Sequence, residues 1–278
     1  MSLNFYALIP NISPNILSLA KSMTVYELLN SNLLDRKQCI YLKDNYLHDT
    51  EKVNNWLCQG KNHYFLDFNS ENFPNKLKHI ANPPLFLFAR GDISCLTNKK
   101  VAIVGSRSPQ MVVKNLIEEL ITLLVNNDVL VVSGLAIGID TIVHKSALNN
   151  GGKTIAVLPS NIEKTYPQRN THLASQISEN GIVLSEFPLG FPVIKSNFVR
   201  RNRVVTGLCL ATIITQASPN SGTMSSANHA VEQNREVLVF PVGFNEKFSQ
   251  GNYQLIQTGA YCLSSVEETL KIVLSLHE

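Results

Sequence analysis

From residue 100 onward, short apolar runs rich in β-branched residues alternate with helical stretches, and this alternation constrains the fold more than any other feature of the chain. The runs are Val101–Val104, Val129–Val132, Thr154–Val157, Ile182–Leu184, Ala211–Thr215 and Val237–Phe240. Unbroken apolar runs read as strands buried on both faces. Helical stretches lie between them at 110–126, 138–149, 168–179, 197–208 and 223–234. The first is marked by Val113, Leu116, Ile117, Leu120, Ile121 and Leu124 at spacings of three and four, one apolar face of a helix. Strands joined by helices of this length need right-handed crossovers and a parallel sheet. The expectation is an α/β chain with a doubly wound parallel sheet, which binds ligands beyond the carboxyl ends of its strands.

The pattern changes near residue 95. Before it the chain is mostly helical: a helix after Ser13, a second around Val25–Leu29, and apolar spacing that continues through Leu42 to Trp56 and Leu57. Tyr64–Leu66 and Leu85–Phe88 then read as strands bracketed by turn residues. The division expected is a small helical domain over 1–60 and a sheet domain over 61–278.

Composition removes several function classes. The net charge is only +3, so a nucleic-acid site must be a local patch. Five cysteines are scattered without a CxxC pair, which suggests reduced thiols and neither a zinc site nor a disulfide framework. No basic-then-apolar leader opens the chain and no apolar run is long enough to span a bilayer. A cytoplasmic protein with no membrane partner is expected.

The candidate site residues follow strands. Gly105-Ser106-Arg107 comes directly after the first run. Glycine permits the sharp turn, serine offers a hydroxyl, and arginine presents five donors beside a helix start, where anions bind. Ser133-Gly134-Leu135-Ala136-Ile137-Gly138-Ile139-Asp140 follows the second run, and Asn220-Ser221-Gly222-Thr223 opens a helix after the fifth. Asp140 is either a helix cap, an orienting partner of Arg107 or a site residue. His144, one turn on, is more often a satisfied buried histidine than a catalyst. Lys195-Ser196-Asn197-Phe198-Val199-Arg200-Arg201-Asn202-Arg203 contains no acid, and arginines at this density grip phosphates. Glu186 is the one carboxylate well placed at a strand end. Lys153 begins a strand, where the edge rule puts it away from the site. GxGxxG, GxxxxGK[ST] and GxSxG motifs are absent, so anion binding without a cofactor and without catalytic machinery is the expectation.

Together these residues resemble the bacterial DNA-processing protein A family, also called Smf. The resemblance covers roughly residues 70–265 and rests on Val-Gly-Ser-Arg at 104–107, Ser-Gly-Leu-Ala at 133–136, Gly-Ile-Asp at 138–140 and His144. Gly-Gly-Lys-Thr-Ile-Ala-Val at 151–157, Tyr166-Pro167, Leu184-Ser185-Glu186, Arg201-Asn202-Arg203, Gly207-Leu208, Ser221-Gly222-Thr223, Leu255-Ile256 and Gly259-Ala260 continue it. It implies an extended Rossmann-like fold without a nucleotide cofactor and a sterile-alpha-motif-like helical N-terminus. It implies single-stranded DNA binding in natural transformation, loading of the RecA recombinase, and a homodimer, for whose interface the sequence offers Leu255 and Ile256 as apolar candidates. The winged-helix domain of some relatives is not expected. Carried onto this chain, the phosphate-facing positions are Gly105, Ser106, Arg107, Ser133, Gly134, Leu135, Lys153, Arg201, Asn202 and Arg203; Lys153 rests on the resemblance alone.

The chain departs from the family pattern at Val199-Arg200, where Phe-Pro usually precedes Arg-Asn-Arg, at Gln216 in place of a glutamate, at Val242, and in lacking a Tyr-Gly at 108–114. Two other readings stand beside the binder. One is a phosphoribohydrolase-like enzyme, against which the acid-free stretch Pro219–Ser226 argues. The other is a module sensing a small nucleotide in the same cleft.

Overall fold

The computed structural model describes residues 4–243 and 247–276. Four helices open the chain: α1 (Pro14–Ala20), α2 (Val25–Asn30), α3 (Arg36–Asp44) and α4 (Tyr46–Cys58). Ser13, Thr24 and Asp35 cap the first three by accepting a first-turn amide, and Glu27 and Gln38 return the bond at α2 and α3, which satisfies donors that a helix start leaves unpaired. The chain then runs β1 (His63–Asp67), α5 (Asn75–Lys78), β2 (Phe86–Gly91), β3 (Lys100–Val104), α6 (Met111–Asn126), β4 (Leu130–Ser133), α7 (Ile139–Asn149), β5 (Thr154–Val157) and α8 (Thr171–Asn180). It continues with β6 (Ile182–Ser185), α9 (Lys195–Gly207), β7 (Ala211–Ile214), α10 (Gly222–Glu232), β8 (Glu236–Val239), α11 (Gln250–Gln257), β9 (Tyr261–Cys262) and α12 (Val266–Ser275).

All nine strands lie in one sheet, ordered β1-β2-β6-β5-β4-β3-β7-β8-β9. β3 to β9 are parallel, as the alternation predicts. β1 and β2 depart from it: they pair antiparallel with each other, and β2 pairs antiparallel with β6. The reason is the connection. Only the four-residue α5 lies between β1 and β2, too little helix for a parallel crossover, whereas an antiparallel return needs none.

Alternate residues of each strand serve opposite faces. Ala102, Val132, Ile155, Val157 and Ile214 pack in one cluster with Val204, Leu208 and Ala227 of α9 and α10 and the turn between them and the sheet. Val101, Ile103, Val131 and Ile213 pack on the other face against Ile117, Leu120 and Leu124 of α6 and Val143 of α7. The N-terminal helices cover the rest of that second face. Leu17, Leu28 and Trp56 share a cluster with Phe65, Phe88, Ala156 and Leu173. This cluster draws residues from both sides of residue 60.

The strand order reverses beside β3. β4, β5 and β6 step outward on one side of it, while β7, β8 and β9 step outward on the other. The crevice between the carboxyl ends of β3 and β7 is thus the topological switch point, where sheets of this kind hold ligands.

Candidate functional site

A cleft of about 510 Å3 opens at that switch point. One wall is the turn after β3. Ser106 closes it twice, its carbonyl accepting from Ile139 N (3.0 Å) and its hydroxyl from Ser108 N (3.1 Å). Gly138, at φ +85°, lies under the Ser106 and Arg107 carbonyls, where a Cβ has no room. Arg107 projects from this turn into solvent, its guanidinium 5.9 Å from the centre of the Phe198 ring on α9. It makes no ion pair among the described residues.

The opposite wall is the start of α10. Ser221 is its N-cap, with no side-chain bond to the first-turn amides. Ser221, Gly222 and Thr223 all border the cleft, so a helix N-terminus with free donors faces it, a ready anion site. Asn202 Nδ2 ties α9 to this end by donating to Gly222 O (3.2 Å). Gln216, at the floor, accepts from Gln110 N (3.2 Å) and so holds the two walls together. Its Nε2 and the Ser221 hydroxyl have no partner among the described residues.

Beneath the cleft a buried ionic frame fixes the turn after β4. Asp140 Oδ2 accepts from Gly134 N and Ala136 N, both at 3.1 Å. Arg201 is only 4% exposed, and its Nη1 donates to Gly134 O and to Val157 O. Gly134 is required here because a Cβ would overlap that guanidinium. Burial pushes the Asp140 carboxyl up, against the pull of Arg201 and the two amides. Burial lowers Arg201 to about 10, with Asp140 opposing, so it stays cationic at neutral pH. His144, fully buried, is lowered to about 3 by burial first and Arg201 second, and is neutral. Its Nδ1 lies 2.8 Å from Thr154 Oγ1, which donates to Val131 O (2.9 Å). The hydroxyl's only hydrogen is thereby used, so Nδ1 carries the imidazole proton and Nε2 is the bare nitrogen without a partner.

The cleft gathers Gly105, Ser106, Arg107, Asp140, Arg201, Asn202, Ser221, Gly222 and Thr223. It does not gather the rest of the predicted set. Ser133 points into the face that α7 covers, donating to Ile103 O (2.8 Å) with no exposed surface. Leu135, at φ +57°, is likewise fully buried in the core. Arg201 borders the cleft, but it is buried, with Nη1 donating to two backbone carbonyls and Nε to Asn202 Oδ1 (3.2 Å). Asp140 orders the 134–136 turn and does not orient Arg107.

Arg200 and Arg203 occupy the other side of α9, in a separate groove of about 1110 Å3. There both bond Glu186 Oε2, Arg200 Nε at 3.2 Å and Arg203 through Nη2, and Arg200 lies over the Phe187 ring. Burial pushes the Glu186 carboxyl up, opposed by Arg203 and Arg200. Lys153 lies at the amino end of β5 and pairs with Asp92 at 2.6 Å. Arg200, Arg203 and Lys153 thus do not line the cleft that Arg107 borders.

A second basin, of about 550 Å3, adjoins the first through Arg107 and adds Lys114 of α6, Lys145 of α7 and Arg169. No carboxylate borders it among the described residues. These three cations, and Phe248 on the cleft rim, escaped the sequence reading because they come from four separate segments. The available signal was weak: Lys114 and Lys145 stand off the apolar stripes of α6 and α7.

Comparison with known proteins gives a consistent set of relatives. The family model of DNA recombination-mediator protein A matches residues 64–274. The DNA processing protein DprA of Streptococcus pneumoniae is 38% identical over 198 residues, 71% of this chain and 70% of that one. Its solved X-ray structure covers 100% of both chains at a TM-score of 0.85 and 27% identity. The structure of DNA processing protein A from Helicobacter pylori, described for its single-stranded DNA binding mode, covers 77% of this chain and 97% of its own, with a TM-score of 0.71 and 33% identity.

Proposed function

The chain belongs to the DNA recombination-mediator protein A family, and from that premise we propose that it binds single-stranded DNA without regard to sequence, during DNA processing in natural transformation. The observation that carries this reading is the shared position of Arg107. It stands between two adjoining basins, one bordered by the free amides of α10 and the other by Lys114, Lys145 and Arg169. A phosphodiester backbone crossing Arg107 meets donors on both sides. Contacts of this kind grip phosphate and carry no sequence code.

The cleft suits binding better than bond cleavage. Among the described residues Asp140 is the one carboxylate bordering it, and its Oδ2 is committed to two backbone amides in a buried frame. Handing the strand to the RecA recombinase, acting as a homodimer and working in the cytoplasm complete the proposal, and these rest on the family alone.

Fluorescence anisotropy with labelled single- and double-stranded oligonucleotides, at two salt concentrations, tests it. Single strands are expected to bind more tightly, with affinity falling steeply as salt rises. Arg107→Ala is expected to weaken all sequences alike and to flatten the salt slope by about 0.7, one single-strand phosphate contact. Affinity independent of salt, or unchanged in Arg107→Ala, overturns the reading.

A further inference from the structure

Phe248 stands on the rim of the cleft with 60% of its surface exposed. Full burial of such a side chain is worth about 1.5–3 kcal/mol, which this ring forgoes. It makes no ring–ring or ring–cation contact among the described residues. Yet the residues that follow it are held firmly. Ser249 is fully buried, and Gly251 N donates to Ala217 O (2.9 Å). Asn252, also fully buried, donates from Nδ2 to Thr215 O (3.1 Å) and Phe240 O (2.9 Å) and accepts at Oδ1 from Ala217 N (2.7 Å). The chain just after the exposed ring is thus tied to the exit of β7, the same backbone that builds one wall of the cleft.

A second aromatic group borders the cleft from α9. Phe198 packs edge-to-face with the half-exposed Tyr166 (5.3 Å, 79°), with Arg107 against its ring. Much of the remaining lining is polar, with Ser106, Ser108, Gln216, Ser218 and Ser221. An apolar protein partner would find two rings and Val199 set among hydroxyls and amides. A nucleobase needs only a flat π face beside a phosphate grip.

We propose that Phe248 is a stacking platform for one nucleobase of the bound strand, a subsite that rests on the single-strand reading above. Arg107 and the α10 amides take the phosphates, and the ring takes a base face. Stacking tolerates any base, so the subsite adds affinity without adding a code.

The test compares oligothymidylate with an abasic strand of equal length and charge at one salt concentration. Wild type is expected to prefer oligothymidylate by about 5- to 150-fold, the effect of one stacked base. Phe248→Ala is expected to lose that preference while keeping its salt slope. Phe248→Trp is expected to keep it, with new fluorescence quenched by oligothymidylate and not by the abasic strand; the native Trp56 is 3% exposed and stays silent. Oligothymidylate affinity unchanged in Phe248→Ala but weakened in Arg107→Ala overturns the stacking platform alone. Binding of both strands indifferent to Arg107→Ala and to salt overturns the reading beneath it.

Discussion

Removing Arg201 separates the frame of the site from its grip. In Arg201→Ala the Asp140 carboxylate keeps its two amides but loses the one cation that offsets its burial, and Gly134 O and Val157 O lose their donor. No direct ion pair joins Arg201 to Asp140 among the described residues, but removing a buried cation that offsets a buried carboxylate costs about 3–5 kcal/mol. At about 2–4 °C per kcal/mol for a chain of this size, the melting temperature falls by roughly 6–20 °C. The loss has a definite pH dependence. Burial raises the Asp140 pKa in the fold and Arg201 opposes that rise, so the variant carboxyl moves further up. A group with a raised folded pKa contributes stability below its unfolded pKa, near 4, and loses it as pH climbs toward the folded value. The gap between variant and wild type is therefore expected to narrow in acid and widen toward neutrality. Urea denaturation at a series of pH values reads this directly. A variant within 1 kcal/mol of wild type at neutral pH, with strand binding abolished, would falsify the structural role and make Arg201 a phosphate ligand.

Two further outcomes follow from the geometry. His144 is neutral in the fold with a pKa near 3, while the unfolded chain takes up a proton near 6.5. Wild-type stability is expected to fall between pH 6.5 and 3 by up to about 1.4 kcal/mol per pH unit from this residue, and His144→Gln to remove that share of the slope; superimposable pH profiles in urea would refute it. Lys153→Ala breaks an exposed ion pair worth at most about 1 kcal/mol and is expected to leave affinity for short single strands unchanged. A five-fold weakening by anisotropy would show that the strand reaches the amino end of β5.

The sequence carried the strands well because fully buried parallel strands leave a plain mark. Val101–Val104 and Thr154–Val157 are apolar on both faces and have nowhere to lie but inside a covered sheet. The antiparallel β1 and β2 were visible as strands but not in direction, since pairing depends on what α5 fails to do. The site was legible as turns and not as side-chain directions. Ser133 ends β4 in a motif of small residues, yet the pleat alone turns its hydroxyl toward Ile103 O. The arginines of α9 were legible as a cluster and misleading as a surface. At 3.6 residues per turn, Arg201 and Arg203 stand about 200° apart and Arg200 and Arg203 about 60° apart. One helix therefore cannot aim all three at one ligand.

That fan of directions explains how a net charge of +3 accommodates a strongly basic track. Four of the charges near the site cancel inside the protein: Arg201 against Asp140, and Arg203 against Glu186. Those pairs lie behind low-dielectric walls where salt screens them little. The cations left for a ligand, Arg107, Lys114, Lys145 and Arg169, are drawn from four segments and meet no carboxylate in their basin among the described residues. Salt should then act on the two sets differently. It weakens strand affinity through the exposed set, while the fold, held by the buried set, keeps its unfolding midpoint. Parallel losses of affinity and stability on raising salt would mean that the two sets are one.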